Sequence, residues 1–284
     1  MAEQDRFELY CHVGLGKTGT TYLQYEFFPK LKGVKYIQRT QYKKFGRIIA
    51  RTHYSKYFVS REFDRQFERE VPRIAEKYPS AGIIIVLRRN DSWIASQYRR
   101  HVKNGGQHSF QEFLDLKHDQ GLWKQKDVYF YPKLLMLKDL FTKKPLVLFH
   151  DELKKEPFSF FDKIADYLGV TYDKRKINVN PKHKSYNDKQ LRYIRSVSSG
   201  IFRPERRKTR NRLHRWIQFR SRWLLCRLFL LLGQILPEKF VDNTPVIEQE
   251  LLEEVREFYA HDWEKCKEFA GEHSYISQGA TDPE

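Results

Sequence analysis

The sequence predicts an α/β protein, a three-layer sandwich built on a central, mainly parallel sheet, and three observations carry that expectation. Ile83-Ile84-Ile85-Val86-Leu87 is a continuous apolar run bounded by Gly82 and by Arg88-Arg89-Asn90-Asp91, the pattern of a strand buried on both faces. Strand-like and helix-like segments alternate with short turns as far as Gly169, which places parallel strands in one sheet with helices over both faces. The first strand also runs through a glycine-rich turn straight into a helix start, the layout of a βα unit that can cradle an anion.

That turn organises the rest. Phe7 to Val13 mixes aromatic and β-branched residues, and His12-Val13-Gly14-Leu15-Gly16-Lys17-Thr18-Gly19-Thr20-Thr21 follows, with an apolar-punctuated segment ending near Pro29. Three glycines let the backbone approach a ligand, successive N–H groups point at it, Lys17 adds a full charge and three threonines add hydroxyl donors. The pattern suits a phosphate or a sulfate. It is not the nucleoside-triphosphate P-loop, whose first glycine would fall at position 11, where Cys11 stands.

Further along, Val34-Lys35-Tyr36-Ile37 reads as a short second strand and Lys56-Tyr57-Phe58-Val59-Ser60 as a third. Between them residues 39 to 55 are basic and aromatic, with Arg39, Lys43, Lys44, Arg47, Arg51 and His53, which reads as a solvated face unless the family resemblance drawn below makes it part of an acceptor cleft. Glu62 to Tyr78 shows a helical stripe, with Pro72 expected to kink or break it. After the Ile83–Leu87 strand a helix runs from about Asp91 to Val102 and stops at Asn104-Gly105-Gly106. Ser109 and Glu112 form a capping-box pattern, and Pro132 opens a helix over Tyr131 to Phe141. Pro145 to Phe149 makes a fifth strand, and the stripe Phe160, Phe161, Ile164, Ala165, Leu168 ends at Gly169, a good C′ residue. Thr244-Pro245 reads as a helix start for the final, partly acidic helical region.

The chain of 284 residues is expected to form one domain over residues 1–274, with a basic helical segment near 200–240 and a loose tail at 275–284. Fifty-three Lys and Arg against 36 Asp and Glu leave +17, an excess that favours polyanions: a multiply phosphorylated nucleotide, an acidic glycan, nucleic acid or anionic lipid. Cys11, Cys226 and Cys266 lie too far apart for a disulfide framework or a zinc site. The N-terminal residues carry no apolar leader, so a cytoplasmic location is expected. The apolar stretch from Trp223 to Leu236, with Arg227 inside it, is shorter than the roughly twenty residues a spanning helix needs. Residues 203–232 could lie on an anionic membrane surface, rim an acidic acceptor, or cover the sheet with their charges in water.

Two motifs together carry a family resemblance. The Lys17-Thr18-Gly19-Thr20-Thr21 stretch after the first strand resembles the 5′-phosphosulfate loop of the sulfotransferases that use 3′-phosphoadenosine 5′-phosphosulfate (PAPS). Arg88, with Ser96 eight residues on and Tyr98 beyond it, resembles the 3′-phosphate motif of the same family, Arg89 being the competing register. The chemistry agrees independently, since arginine offers a planar charged fork for phosphate oxygens and a serine on the next helix a neutral donor. The resemblance implies a P-loop-like topology in which Gly16, Lys17, Thr18, Gly19, Thr20 and Thr21 hold the 5′ end of PAPS, while Arg88 and Ser96 hold the 3′-phosphate. It also implies a late basic loop over that phosphate, for which Lys182 and Lys184 are the candidates. No Golgi-type anchor is expected from the N-terminal residues, in which the chain would depart from the carbohydrate sulfotransferases of that family.

By that resemblance the reaction moves a sulfuryl group to a hydroxyl or amine, the acceptor being a glycan or lipid-linked glycan, with PAPS as co-substrate, no metal and no specific nucleic acid. Lys17 would stabilise charge growing on the leaving phosphate. The general base is expected at Glu62 first, then His53, then His12, each having an ordinary structural role as the alternative. Two other classes stay open from sequence: a P-loop-type small-molecule or nucleotide kinase, and a basic adaptor binding membrane or nucleic acid through residues 203–232.

Overall fold

Alternation of apolar runs with amphipathic segments produces five strands: β1 Glu8–Gly14, β2 Lys35–Ile37, β3 Lys56–Ser60, β4 Gly82–Leu87 and β5 Leu146–Phe149. In this computed structural model they form one sheet in the order β2-β3-β1-β4-β5, and every pairing is parallel. The described residues are 7–179, 186–202, 211–237 and 244–276. All six residues of β4 are buried, as a strand covered on both faces requires.

The order of the strands fixes where a ligand binds. The chain leaves β1 toward the β2–β3 side and leaves β4 toward β5, so these two adjacent strands send it in opposite directions. In open parallel sheets the crevice beyond the carboxyl ends of such a pair is the binding edge. The turn after β1 and Arg88 after β4 both lie there.

Helices cover both sides of the sheet. On one, Tyr10, Phe58, Ile84, Val86, Leu146 and Leu148 pack against Leu23, Phe27 and Phe28 from the segment after β1, and against the Pro157–Leu168 helix. Phe27 and Phe161 stack with ring centroids 4.4 Å apart, and Phe28 meets Phe58 edge-on at 4.7 Å. A second group of helices, Phe67–Lys77, Tyr131–Leu140 and Ala260–His273, packs pairwise through the middle one. The buried Asp262 carboxylate accepts hydrogen bonds from the N–H groups of Phe130 and Tyr131, capping the Tyr131–Leu140 helix from another element.

By its internal packing the chain divides into two compact units. One comprises residues 1–89, 129–182 and 259–284 and contains the whole sheet. The other comprises residues 90–128 and 183–258 and is helical, with Asn90–Lys103, Asp188–Ile201, Arg212–Ile235 and Gln249–Phe258 as its main elements. Within it Trp93 meets Trp123 edge-on, and Arg256 pairs with the buried Asp91 at 3.2 Å.

Several expected boundaries hold. The Ser109–Glu112 capping box forms in both directions, Gly105 turns left-handed at φ 78° after the Asn90–Lys103 helix, and Gly169 does so at φ 59° after Leu168. Others move for physical reasons. The helix expected from Glu62 starts at Phe67, because the N–H groups of Arg61 and Phe63 bond to the carbonyls of His12 and Val13 and keep that segment extended beside β1. It then runs unbroken through Pro72. Thr244-Pro245 does not open a helix, since Arg192 takes both of their carbonyl oxygens, and the helix begins at Gln249. The Asp188–Ile201 helix and its Asn187 cap were not anticipated from sequence.

Candidate active site

The turn after β1 is tied down by its neighbours. Leu15 donates its N–H to the Val86 carbonyl of β4 at 3.0 Å, and the Thr18 hydroxyl donates to the Leu15 carbonyl at 2.6 Å. Thr18 is wholly buried, so its hydroxyl shapes the loop from within. Lys17 and Gly19 both adopt the left-handed region, at φ 69° and φ 82°. For glycine that conformation is free of strain, whereas for lysine it costs on the order of 1–3 kcal/mol, which the surrounding bonds must offset. Gly19 is also needed for space: a Cβ there would sit 2.6 Å from Leu153 Cδ2. Thr20 is buried and Thr21 exposed at the helix start that follows.

Arg88 reaches this loop. Its Nη1 donates to the Lys17 carbonyl at 3.3 Å, although the two residues are 71 positions apart. The two predicted anion motifs therefore meet at the binding edge of the sheet.

No family model and no curated protein matches the chain. Among solved structures it is similar to a sulfotransferase from Alicyclobacillus acidocaldarius, with a TM-score of 0.51 and 16% identity over 68% of this chain and 93% of that one. It is also similar to mouse sulfotransferase SULT7A1 complexed with PAP, with a TM-score of 0.50 and 14% identity over 93% of this chain and 89% of that one. The fold is the one found in sulfotransferases, and at such identities the likeness extends to the fold alone.

Two acidic residues, Glu62 and Asp64, lie beside the loop. A Cβ on Gly14 would lie 3.6 Å from the Glu62 Cα, and the Glu62 side chain sits 3.7 Å from Arg39 Nη1. Asp64 is nearer still: its Oδ1 accepts the Gly16 N–H at 2.7 Å, and a Cβ on Gly16 would meet its carboxylate at 2.8 Å. Sequence reading missed Asp64, because no spacing signals it; the contact exists only because residues 61–63 stay extended alongside β1. Gly16 thus contributes its N–H to a protein carboxylate and its bareness to that close approach.

His150 directly follows β5, and no sequence pattern singles it out. Its ring lies 3.6 Å from a Cβ position on Gly19, and its Nδ1 is buried without a hydrogen-bond partner. Burial pushes its pKa down to about 4, with the positive charges of Arg88 and Lys154 acting in the same direction and Asp151 opposing.

The other candidates are placed elsewhere. His53 is exposed and precedes β3, so it stands at the amino edge of the sheet, the end opposite the loop, and the structure does not bring it to the site. His12 is buried in β1, with Nδ1 2.9 Å from Ser60 Oγ and Nε2 enclosed without a partner, and burial lowers its pKa to about 3. Ser96 is half-buried on the Asn90–Lys103 helix, in the helical unit. Lys182 and Lys184 lie outside the described residues. Among the described residues no group of three or more His, Cys, Asp or Glu side chains is arranged to hold a metal ion.

Proposed function

We propose that this chain is a sulfotransferase that moves a sulfuryl group from PAPS to a hydroxyl or amine of an acceptor, a glycan or lipid-linked glycan being the class its basic surface suits. The observation that carries the reading is the 3.3 Å contact between Arg88 and the Lys17 carbonyl, which puts two anion-binding motifs side by side at the carboxyl ends of β1 and β4. A nucleotide bearing phosphate at both its 5′ and 3′ positions is a ligand with two anionic ends to match. The mouse neighbour's complex with PAP fits the same reading.

In this reading the loop receives the 5′-phosphosulfate through the backbone N–H groups of residues 17–21 and the Lys17 ammonium, Gly16 giving its own N–H to Asp64 and shaping the start of the loop, and Arg88 receives the 3′-phosphate, with Ser96, Lys182 and Lys184 added from sequence. The acceptor oxygen or nitrogen attacks sulfur in line with the bridging oxygen of the phosphosulfate. A new bond to sulfur forms as the sulfur–oxygen bond to the phosphate breaks, and adenosine 3′,5′-bisphosphate leaves with the negative charge. Lys17 stabilises that growing charge, an interaction stronger in the transition state than before it. The acceptor proton passes to Glu62, with Asp64 as the carboxylate that takes the role if Glu62→Gln leaves turnover unchanged.

Calorimetric titration with adenosine 3′,5′-bisphosphate in the absence of divalent metal, against ATP with magnesium, tests the reading. Metal-free binding of the bisphosphate at least about tenfold tighter than ATP is expected, one such factor being 1.4 kcal/mol. Preference for magnesium–ATP would instead favour phosphoryl transfer. Transfer of radiolabelled sulfate onto a panel of glycans, lipids and small alcohols then identifies the acceptor.

A further inference from the structure

The Arg212–Ile235 helix buries one side and leaves the opposite side apolar. Cys226 and Leu230 are buried, the Leu230 carbonyl accepts from Gln190 Nε2 at 3.0 Å, and Gly233 lies against Tyr193 of the Asp188–Ile201 helix. Facing away are Leu213, Ile217, Leu224, Leu228, Leu231 and Ile235, with exposures running from 49% at Ile217 to 80% at Ile235. Their steps of 4, 7, 4, 3 and 4 residues place all six within an arc of about 60° at 100° per residue, along about 33 Å of helix. A contiguous exposed stripe of that length marks an interaction surface rather than ordinary surface leucines.

Charge selects the occupant. From Arg206 to Pro237 there is no Asp or Glu, while nine Lys or Arg fall in the same stretch. Arg220 and Arg227 bracket the Trp223 ring at 4.5 and 4.4 Å, at the border of the apolar stripe. A second copy of the chain would bring like charges together, and nucleic acid would leave the leucines in water. None of the described helices is long and apolar enough to cross a bilayer. An apolar face edged by arginine and tryptophan, with no acid, is the composition of a helix that lies in the plane of a lipid interface.

We propose that the Arg212–Ile235 helix docks this protein on the surface of an anionic phospholipid bilayer, its leucine stripe entering the headgroup–acyl boundary and its arginines meeting lipid phosphates. The inference stands apart from sulfuryl transfer, and its readouts need no nucleotide. The test is flotation of the full chain with vesicles of phosphatidylcholine alone or mixed with phosphatidylglycerol, at low and high salt. Binding to the mixed vesicles only, weakened by salt, is expected. The triple variant L224S/L228S/L231S changes outward-facing side chains, so its circular dichroism and thermal midpoint should match the parent while its partitioning falls at least about tenfold. Bromine-labelled acyl chains should quench tryptophan fluorescence in the parent, and less so when Trp216, an exposed residue of the same helix, is replaced in W216F. Absence of flotation with anionic vesicles, or flotation retained by the triple variant, would overturn the proposal. So would a stripe-dependent dimer in lipid-free solution that does not bind vesicles.

Discussion

Lys17 combines a left-handed backbone with the charge that the proposed reaction needs, and Arg88 braces its carbonyl. Lys17→Met should lower the rate of sulfuryl transfer, or of PAPS hydrolysis where no acceptor is supplied, by about 10²–10³-fold, the cost of removing one transition-state donor. Binding of the bisphosphate should weaken much less, which calorimetry on the same variant checks. Asp64 is predicted to act in the other direction. Its carboxylate holds the Gly16 N–H but also places negative charge beside an anion site, so Asp64→Asn, which keeps an acceptor oxygen, should tighten bisphosphate binding by up to about tenfold. An unchanged or weaker affinity would show that the charge is not felt by the ligand. That Lys17 and Arg88 follow strand ends was legible in the sequence, because each sits in a local pattern tied to a strand. The nearness of Asp64 and His150 to the loop was not, because it comes from proximity between the ends of different strands.

Among the elements, the turn from β1 is the most exacting. Gly19→Ala would force a side chain into a left-handed position and against Leu153, so a lower thermal midpoint and weaker nucleotide binding are expected together; loss of binding with an unchanged midpoint would contradict the packing account. Asp262 is the second sensitive point. Replacing it with alanine leaves two N–H groups at the start of the Tyr131–Leu140 helix, that of Phe130 buried and that of Tyr131 partly so, without their carboxylate, a loss on the order of 3 kcal/mol measurable by urea unfolding. Strands and caps built from neighbouring residues, such as Ser109 with Glu112 and Gly169 after Leu168, could be read in advance. Thr244-Pro245 could not, since its helix-start signal is overridden by Arg192, a tertiary partner 52 residues away from Thr244. The start of the Phe67–Lys77 helix shifted for the same kind of reason, its expected first turn being held as an extension beside β1.

At the scale of the whole molecule, the parallel sheet followed from the buried character of β4 and the alternation around it, and the strand order then brought the two motifs to one edge. Sequence could not give the division into two packing units, which depends on contacts between segments far apart in the chain. Acid stability is a further global property. His12 and His150 are kept neutral by burial, with pKa values lowered to about 3 and about 4, while in the unfolded chain each titrates near 6.5. The unfolded state therefore takes up protons first, so the stability due to these neutral rings is complete above pH about 6.5 and is lost as pH falls toward 4. Each group contributes a slope of up to about 1.4 kcal/mol per pH unit in that window, and His12→Gln should flatten the acid limb of the unfolding curve by about one such slope.

One nucleotide is proposed to span Lys17 and Arg88, and a cycle that removes one partner from each side measures it. Affinities of the parent and of Arg88→Ala are determined for adenosine 3′,5′-bisphosphate and for adenosine 5′-phosphate. Removing the arginine should cost the bisphosphate about tenfold or more, in the range of a charged hydrogen bond, and the monophosphate little, giving a coupling of at least about 1.4 kcal/mol. If both nucleotides lose affinity equally, or neither loses any, Arg88 does not hold the 3′-phosphate and the account is contradicted.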